Sequence, residues 1–541
     1  MSVFDVRKHD FLARIGNLRV TTELIISTPA VCDMQTLFPT LSERDFTNLP
    51  QSAPHSDADI YFVAGTDPAT VHAKAPVAED TGVYLFANWN NCLTDSKRFL
   101  ETYEILFQKI RPDAARYAPA SALPSNVAML IYCGFDLFDY TAVDLASVQG
   151  KFCTPEGEFD ADWMDKGVCF CEGCKSHDLK LHNRLALERE IAIARAWIER
   201  GQLRELIETR CRLHAPQVEL LRRIDRSTVF DSALPVVRSS RFLADAGESI
   251  YRREITLFEE RLVSRYVPPR SDVCVLLPCA SRKPYSLSRS HQMFVRVVDG
   301  RAHEVIITSP LGIVPRELEL VYPAGHYDVP VTGFWDAEEE RVLVERVSAY
   351  LAKHHYDRII CHLDGGAKEV VLTVAANLGI PLEITCNDGH PLSQESLRAL
   401  NAALEGCRKQ KNDFIHGTLF WQFGEDIDTK GLIVKGRYPQ VKVLLKKQQL
   451  FTTDPATGLI RPTHEGWERI KGYRVTISPG FVPQGDILAP GIADCDERIR
   501  EGDEVFVVGE NYVATGKAVM SAAEMRASNR GVAIKVRKTR K

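Results

Sequence analysis

Long apolar runs are missing from this sequence. No stretch reaches the ~18 consecutive apolar residues that a membrane-spanning helix needs. Asp5, Arg7 and Lys8 stand near the start, where a secretory leader would be apolar. The sequence therefore predicts a cytoplasmic protein with no membrane partner.

An excess of positive charge is also missing. The 541 residues include 67 Lys and Arg against 72 Asp and Glu, which gives a formal net charge of −5. A chain of this charge has no overall attraction to nucleic acid, so any RNA contact must come from a local basic surface. Hydrophobic residues make up 45% and charged residues 26%, which is ordinary for a globular chain. At ~150 residues per domain, the length predicts three or four domains.

The first predicted domain, residues 1–235, has an α/β pattern. Strand-like runs at 60–63 and 82–86 alternate with a helical run at 96–110. Residues 128–132 read as a further strand, followed by an acidic loop that contains Asp136 and Asp139. Carboxylates at the end of a strand are suited to acid–base or nucleophilic chemistry.

The same domain carries a metal-site pattern. The 14 cysteines of this long chain, three of them clustered, fit reduced thiols and a metal site better than a disulfide scaffold. Cys169, Cys171 and Cys174 supply three thiolates, and His177 or His182 can complete a tetrahedral set before a helix predicted over 183–200. Three sulfur ligands with one imidazole favour zinc, and a closed set of four ligands is structural rather than catalytic.

Several segments of this domain resemble the tRNA-guanine transglycosylase family, a zinc-bearing TIM barrel that exchanges a base in tRNA. The resemblance implies that Asp139 matches the nucleophile and that Cys169, Cys171, Cys174 and His182 match the zinc ligands. About 130 residues precede Asp139, too few for a full barrel, so we expect a reduced TIM barrel. Asp139 is then either a relic nucleophile or a carboxylate with a structural or RNA-facing role. The segments that carry the resemblance are Arg14-Ile15-Gly16, Thr28-Pro29, residues 134–139, Phe152-Cys153-Thr154, the cysteine cluster and His182-Asn183.

The second predicted domain, residues 239–425, is another α/β sheet domain. Its strands are expected at 272–277, 293–298, 304–308 and 358–361, and its helices at 338–353 and 366–378. The first strand leads into the loop 278–291, which we call the motif loop. In open α/β sheets, ligands bind in such loops at the carboxyl ends of strands.

The motif loop contains a candidate catalytic group. Positive neighbours favour the thiolate of Cys279, which is a better nucleophile than the thiol. Lys283 can stabilise an anionic group, His291 can shuttle protons, and Tyr285 and Ser288 can donate hydrogen bonds. The alternative is that Cys279 is a small buried apolar residue in a polar turn.

The motif loop resembles the signature of the archaeosine synthase family. The matching positions are Pro278, Cys279, Lys283, Pro284, Tyr285, Ser288 and His291, with further similarity in residues 309–318 and 326–330. The resemblance implies addition of an amine, from lysine or glutamine, to the nitrile of 7-cyano-7-deazaguanine at position 15 of archaeal tRNA. In the lysine route, a radical-SAM partner enzyme completes archaeosine. Two alternatives stay open, a non-catalytic tRNA-binding platform and a base-exchanging transglycosylase.

The remaining chain predicts two small domains. Residues 430–470 read as an α+β linker domain, and residues 471–541 as a compact β-barrel. The barrel sequence resembles a PUA domain, an RNA-binding module, and ends in a basic tail that can contact phosphate or simply be solvated. Homo-oligomerisation is left open. The candidate RNA-binding residues of the tail are Lys535, Arg537, Lys538, Arg540 and Lys541.

Overall fold

The computed structural model describes residues 3–37, 61–64, 67–70, 82–86, 95–108, 110–330, 335–410, 414–481 and 483–540. The chain divides into two compact units. The first contains residues 1–235, 486–493 and 519–534, and the second contains residues 236–485, 494–518 and 535–541. The mixed α/β architecture expected from the sequence is confirmed, whereas the division into four domains stays a prediction.

The first unit is built on a mixed sheet. Four neighbouring strands of this sheet run parallel, and two further strands extend it in antiparallel fashion. A reduced TIM barrel is not confirmed, because the described strands form a ladder whose two ends are not paired with each other. The sheet order is Ala30–Val31, Leu137–Phe138, Ala115–Tyr117, Val83–Leu85, Tyr61–Ala64 and Asp67–Thr70.

Smaller sheets and helices complete this unit. A three-stranded antiparallel sheet and a hairpin lie beside a core in which a long helix, Leu179–Arg200, buries Leu187, Ile191, Ala194 and Ile198 on one face. Burial at spacings of three and four residues is the helical pattern. The other strands are Val3–Asp10, Ala13–Arg19, Ile25–Thr28, Lys151–Thr154, Gly157–Asp160 and Ile487–Leu488, and the other helices are Met34–Leu37, Ser96–Phe107, Val127–Tyr132, Thr141–Val148, Glu172–Lys175, Leu203–Arg210, Ala215–Arg226 and Ala522–Ala527.

The strand predicted at 128–132 is wrong. These residues belong to the helix Val127–Tyr132, and the strand that precedes Asp139 is the short Leu137–Phe138. All six residues of the helix are buried. A short apolar run that is buried on every side has no periodicity to separate helix from strand.

The second unit contains the five-stranded sheet that carries the motif loop. Its strand order is Gly312–Pro315, His303–Thr308, Val273–Pro278, Arg358–Cys361 and Leu382–Ile384. The central strand, Val273–Pro278, is parallel to both neighbours. Its residues from Val273 to Leu277 are at most 3% exposed, as expected for a strand covered on both faces.

Most predicted elements of this sheet are confirmed, but one is wrong. The predicted helices occur as Ala337–Lys353 and Gly365–Leu378. Residues 293–298, predicted as a strand, form part of the helix Arg289–Val298, which we call the motif helix. The β-branched residues favour a strand locally, yet the helix buries Phe294 and Val298, four residues apart, and tertiary packing overrides that preference.

The other elements of the second unit include the predicted linker. Residues 432–462 form a four-stranded antiparallel sheet, and Thr463 caps the one-turn helix His464–Trp467. Strand Arg474–Ile477 runs parallel to Glu504–Gly509, which pairs with Tyr512–Ala518. None of the described helices is long and apolar enough to cross a membrane. The remaining elements are strands Phe242–Leu243, Tyr327–Asp328, Leu432–Arg437, Gln440–Leu445, Gln448–Thr453 and Ile460–Pro462, helices Arg253–Ser264, Gln394–Ala403 and Ile415–Phe423, and strands Ile492–Cys495 and Val532–Arg540, which begin in the first unit and end in the second.

Candidate active site

The motif loop begins where the central strand of the sheet ends. Pro278 is the last strand residue, and it lies opposite Ile307 of the parallel neighbour. Cys279 follows immediately and is half-buried. Since the carboxyl ends of parallel strands meet at one edge, Cys279 lies on the same edge as Ser309 and His362, which follow the two neighbouring strands.

Ser288 fixes the far end of the motif loop. Its hydroxyl accepts a hydrogen bond of 3.2 Å from the backbone N–H of His291 and thereby caps the motif helix. Ser288 is 6% exposed. The structure therefore gives this predicted catalytic hydroxyl a capping role, which positions the helix that carries His291.

His291 is fully buried and both of its ring nitrogens are occupied. Arg316 donates from Nη2 to Nδ1 at 2.7 Å, so Nε2 carries the proton and donates to the carbonyl of Pro278 at 3.0 Å. Burial, together with the charge of Arg316, lowers the pKa of His291 to about 3. The imidazole therefore stays neutral and ties the motif helix to the end of the central strand.

Arg316 belongs to an ion-pair network that holds the motif loop. Its guanidinium pairs with Glu304 at 2.8 Å and with Glu319 at 3.0 Å. Glu319 also accepts a hydrogen bond of 2.9 Å from the backbone N–H of Ser286. The loop is thus attached to the sheet through charge-assisted hydrogen bonds, which are stronger than neutral ones.

Tyr285 connects the motif loop to Tyr327 by a hydrogen bond between the two hydroxyl groups. Its hydroxyl hydrogen-bonds the hydroxyl of Tyr327, which in turn hydrogen-bonds Thr308. Burial raises the pKa of both tyrosines above their usual value. Both phenols therefore stay protonated at neutral pH, and together they form one wall beside Cys279 and Lys283.

Lys283 carries a positive charge without a hydrogen-bond partner. Its Nζ lies 4.0 Å from the ring centroid of Tyr327 and 5.9 Å from that of Tyr285, a cation–π arrangement. It forms no hydrogen bond or ion pair with any described residue. Burial lowers its pKa, whereas the charges of Cys279 and Asp328 oppose that shift. Cys279 and Lys283 both follow the central strand in the motif loop, and the two groups interact electrostatically.

Arg316, Glu319 and Tyr327 were not identified as site residues from the sequence. Arg316 and Tyr327 lie in segments that contributed to the family resemblance, but no local pattern connects either one to the motif loop. Each is 25 or more residues from its motif-loop partner along the chain. Their role becomes visible only in the tertiary contacts.

The predicted metal ligands of the first unit lie close together in the structure. Ligand atoms of Cys169, Cys171, Cys174 and His182 all lie within 4.8 Å of one another. Nδ1 of His182 is 3.4 Å from Sγ of Cys171 and 3.3 Å from Sγ of Cys174. The arrangement of three thiols and one imidazole can bind a metal ion such as zinc.

The surroundings of His182 support this interpretation. Its second ring nitrogen, Nε2, hydrogen-bonds the carbonyl of Cys153 at 3.1 Å, the usual way in which a ligating histidine is oriented. Phe152 stacks on the imidazole with ring centroids 3.8 Å apart. A Cβ on Gly173 would lie 2.3 Å from the backbone nitrogen of His182, so the close approach requires glycine. His177, the alternative ligand, is 72% exposed and faces Asp165.

Asp139 is held by hydrogen bonds on both carboxylate oxygens. Tyr117 donates its hydroxyl to Oδ2 at 2.7 Å, the backbone N–H of Thr141 donates to Oδ1 at 2.9 Å, and the backbone N–H of Ala120 lies 3.1 Å from both oxygens. These three donors hold the carboxylate in one orientation. Of the roles that the sequence left open for Asp139, this geometry favours a structural carboxylate over a relic nucleophile.

We expect Asp139→Asn to lower the free energy of unfolding by about 1–3 kcal/mol, because an amide replaces one acceptor oxygen with a donor that faces N–H groups. Urea denaturation of the full chain measures this change. Asp162→Asn, at an exposed carboxylate of the same unit, is the control and is expected to change stability by less than ~0.5 kcal/mol. Equal effects of the two substitutions would contradict the structural role.

Comparison with known proteins connects these features. Residues 255–404 match a family model described as a domain of unknown function, DUF5591, and residues 474–539 match the PUA domain. The chain is 39% identical to archaeosine synthase subunit alpha of Methanosarcina acetivorans, over 85% of this chain and 80% of the relative. It is 34% identical to archaeosine synthase of Haloferax volcanii, over 99% of this chain and 98% of the relative.

The chain belongs to the archaeosine synthase family. This confirms the resemblance derived from the motif loop, and the PUA match confirms the C-terminal module. The resemblance of the first unit to transglycosylases is also supported. The chain is 26% identical to tRNA-guanine(15) transglycosylase of Methanobrevibacter smithii, over 82% of this chain and 70% of that protein.

The basic tail of this archaeosine synthase family member is partly neutralised. Arg537 forms a bidentate pair with Glu504, with both distances 2.7 Å, and Arg540 pairs with Glu465 at 2.5 Å. Lys535 and Lys538 are exposed and have no partner among the described residues. Lys541 lies outside the described residues. The two lysines are therefore the better candidates for phosphate contact.

Proposed function

We propose that the chain adds an amine to the nitrile of 7-cyano-7-deazaguanine at position 15 of tRNA and so forms the amidine of archaeosine biosynthesis. The observation that carries this proposal is that Lys283, whose ammonium has no hydrogen-bond or ion-pair partner among the described residues, shares the motif loop with Cys279 and interacts with it electrostatically. The names of the relatives support archaeosine synthesis on tRNA. The amine donor, lysine or glutamine, is part of the proposal.

The first step forms a covalent intermediate. The thiolate of Cys279 attacks the nitrile carbon, a C–S bond forms, and one π-electron pair of the nitrile moves to nitrogen, which takes a proton. The product is a thioimidate. In this proposal Lys283, whose ammonium interacts electrostatically with Cys279, donates that proton.

The second step releases the enzyme. The amine attacks the thioimidate carbon, its nitrogen passes a proton back to the neutral amine of Lys283, and the C–S bond breaks to return the thiolate of Cys279. The net reaction is addition of an N–H bond across the nitrile, so no oxidant or reductant is needed. Because His291 is held on both nitrogens, we assign it to positioning rather than proton transfer.

The PUA module and the cysteine cluster have proposed roles outside the chemical step. We propose that the PUA module and the exposed Lys535 and Lys538 bind the tRNA, and that the Cys169, Cys171, Cys174 and His182 cluster holds a structural zinc. A relative's name includes the words subunit alpha. We therefore propose that a second protein, in the lysine route a radical-SAM enzyme, completes the modification.

Incubation of nitrile-bearing tRNA with lysine, glutamine or ammonium, followed by nucleoside mass spectrometry, tests the proposal. An amidine product in one of these separate incubations is the expected result, and the incubation in which it forms identifies the donor. Binding of the tRNA without any mass change would instead support a platform for a partner enzyme. Incorporation of radiolabelled guanine would support base exchange, which the hydrogen bonds on both oxygens of Asp139 disfavour.

The rate of adduct formation is expected to fall at alkaline pH. Lys283 must be protonated to donate, and burial lowers its pKa below that of a free lysine. The decline therefore begins at a lower pH than for an ordinary lysine. A pH profile of kcat/KM measures it, and Lys283→Arg should lower the rate at every pH and remove this decline, because arginine keeps its proton and cannot donate it. An alkaline limb that is the same in the two proteins would contradict the assignment.

A further inference from the structure

Among the described residues of the second unit, three arginine side chains have a buried guanidinium nitrogen without a hydrogen-bond partner and also form no ion pair. Arg261 and Arg265 lie four residues apart at the end of helix Arg253–Ser264, and Arg500 follows strand Ile492–Cys495. Nε of Arg261, Nη1 of Arg265 and Nε of Arg500 have no hydrogen-bond partner. Arg261 and Arg500 are each only 8% exposed. None of the three forms an ion pair with the described residues.

The three side chains occupy one region. The guanidinium of Arg261 lies 5.4 Å from the ring centroid of Trp421, and that of Arg265 packs against Gly424, where a Cβ would be 3.4 Å from its Cδ. Arg261 interacts electrostatically with both Arg500 and Arg265. Burial, followed by these two charges, lowers the pKa of Arg261 to about 9. The cluster is thus a region of repulsion between cations.

Little negative charge offsets this repulsion. Asp503, which is 4% exposed, interacts with Arg261 and Arg500, but its Oδ2 accepts the backbone N–H of Arg500 at 2.8 Å rather than a guanidinium. The nearby Arg498 is different, because it pairs with Asp496 at 2.6 Å and with Glu425 at 3.2 Å. Unpaired buried cations are costly, and a bound anion would remove that cost.

We propose that Arg261, Arg265 and Arg500 form a binding site for a phosphate group. Guanidinium groups present their N–H donors in a planar fork that matches the oxygens of phosphate. The phosphate can be an inorganic ion or a phosphodiester of bound RNA. Arg500 lies within the residues that match the PUA domain, which favours RNA. Binding of an RNA phosphodiester at this site rests on the proposed function, whereas binding of inorganic phosphate does not.

Thermal unfolding of the full chain tests the site with inorganic phosphate as the probe. Sodium phosphate is compared with sodium chloride at equal pH and ionic strength, and we expect phosphate to raise the midpoint by ~2–5 °C through preferential binding to the folded state. Arg265→Gln and Arg500→Gln should each remove most of this rise. Arg341→Gln, at an exposed arginine paired with Glu345, is the matched control and should retain it.

The partial exposure of Arg265 makes Arg265→Gln the variant that is safest for folding. A rise that is equal in Arg265→Gln and Arg341→Gln, or no rise in the unsubstituted protein at 100 mM phosphate, would overturn the proposal.

Salt titration of tRNA binding identifies the source of the phosphate. If a tRNA phosphate occupies the site, Arg265→Gln should reduce the slope of log Kobs against log salt by about 1, whereas Arg341→Gln should not. If Arg265→Gln loses the phosphate-induced rise of the thermal midpoint but leaves the salt slope of tRNA binding unchanged, the site binds the inorganic ion. The thermal midpoint in phosphate does not depend on the amidine reaction. A failure of the proposed function can therefore be distinguished from a failure of the phosphate site.

Discussion

Cys279→Ala is expected to reduce the rate of amidine formation on nitrile-bearing tRNA by at least ~10³-fold. The substitution removes the nucleophile that forms the thioimidate, and the remaining site can only position the amine and the nitrile for direct attack. Single-turnover assays with saturating amine, read by nucleoside mass spectrometry, measure the chemical step. Binding of tRNA should stay within a few-fold of that of the unsubstituted protein, because the thiol is not a phosphate contact.

Cys407→Ala is the matched control for this prediction. Cys407 is also half-buried in the second unit, and its sulfur accepts a hydrogen bond of 3.4 Å from Arg358. It lies outside the motif loop, so its loss should leave the rate unchanged. Adduct formation by Cys279→Ala at the normal rate would exclude the covalent step and would favour direct attack by the amine.

His182→Ala is expected to abolish stoichiometric metal binding and to lower the thermal midpoint of the protein by ~5 °C or more. The substitution removes one of four ligands and leaves three thiols close together, and metal-binding free energy contributes directly to folding. Elemental analysis by mass spectrometry gives the metal content per chain, and a thermal scan gives the midpoint.

His177→Ala distinguishes the ligand from its neighbour. His177 is the alternative that the sequence left open, and its side chain is exposed. We expect this variant to bind one metal ion per chain and to melt at the same temperature as the unsubstituted protein. Loss of the metal in both variants, or in His177→Ala alone, would contradict the ligand set of the structure.

The local elements that position the motif loop could be predicted from the sequence. An apolar β-rich run ending in Pro278 and Cys279 predicts a buried strand that leads into a loop, and the strand Val273–Pro278 is found there. Two other predicted strands are helices in the structure. Residues 128–132 and 293–298 are apolar and partly β-branched, and short runs of this kind form either helix or strand according to what packs around them.

The residues that hold the site could not be predicted. Arg316 reaches His291 across 25 positions of the sequence, and Tyr327 reaches Tyr285 across 42. Ion pairs and hydrogen bonds at such separations leave no periodicity in the sequence. The same limit applies to the arginine cluster, because an unpaired buried charge is recognised only when the packed surroundings are known.

The sequence by itself determined the family, the motif around Cys279 and the spacing of the cysteine cluster, because each is a pattern of neighbours along the chain. Only the tertiary structure decided which of the candidate residues are held by other groups. It holds His291 on both nitrogens and Asp139 on both oxygens, whereas the ammonium of Lys283 has no hydrogen-bond or ion-pair partner among the described residues. The physical reason is that protonation and hydrogen bonding depend on burial and on partners from distant segments.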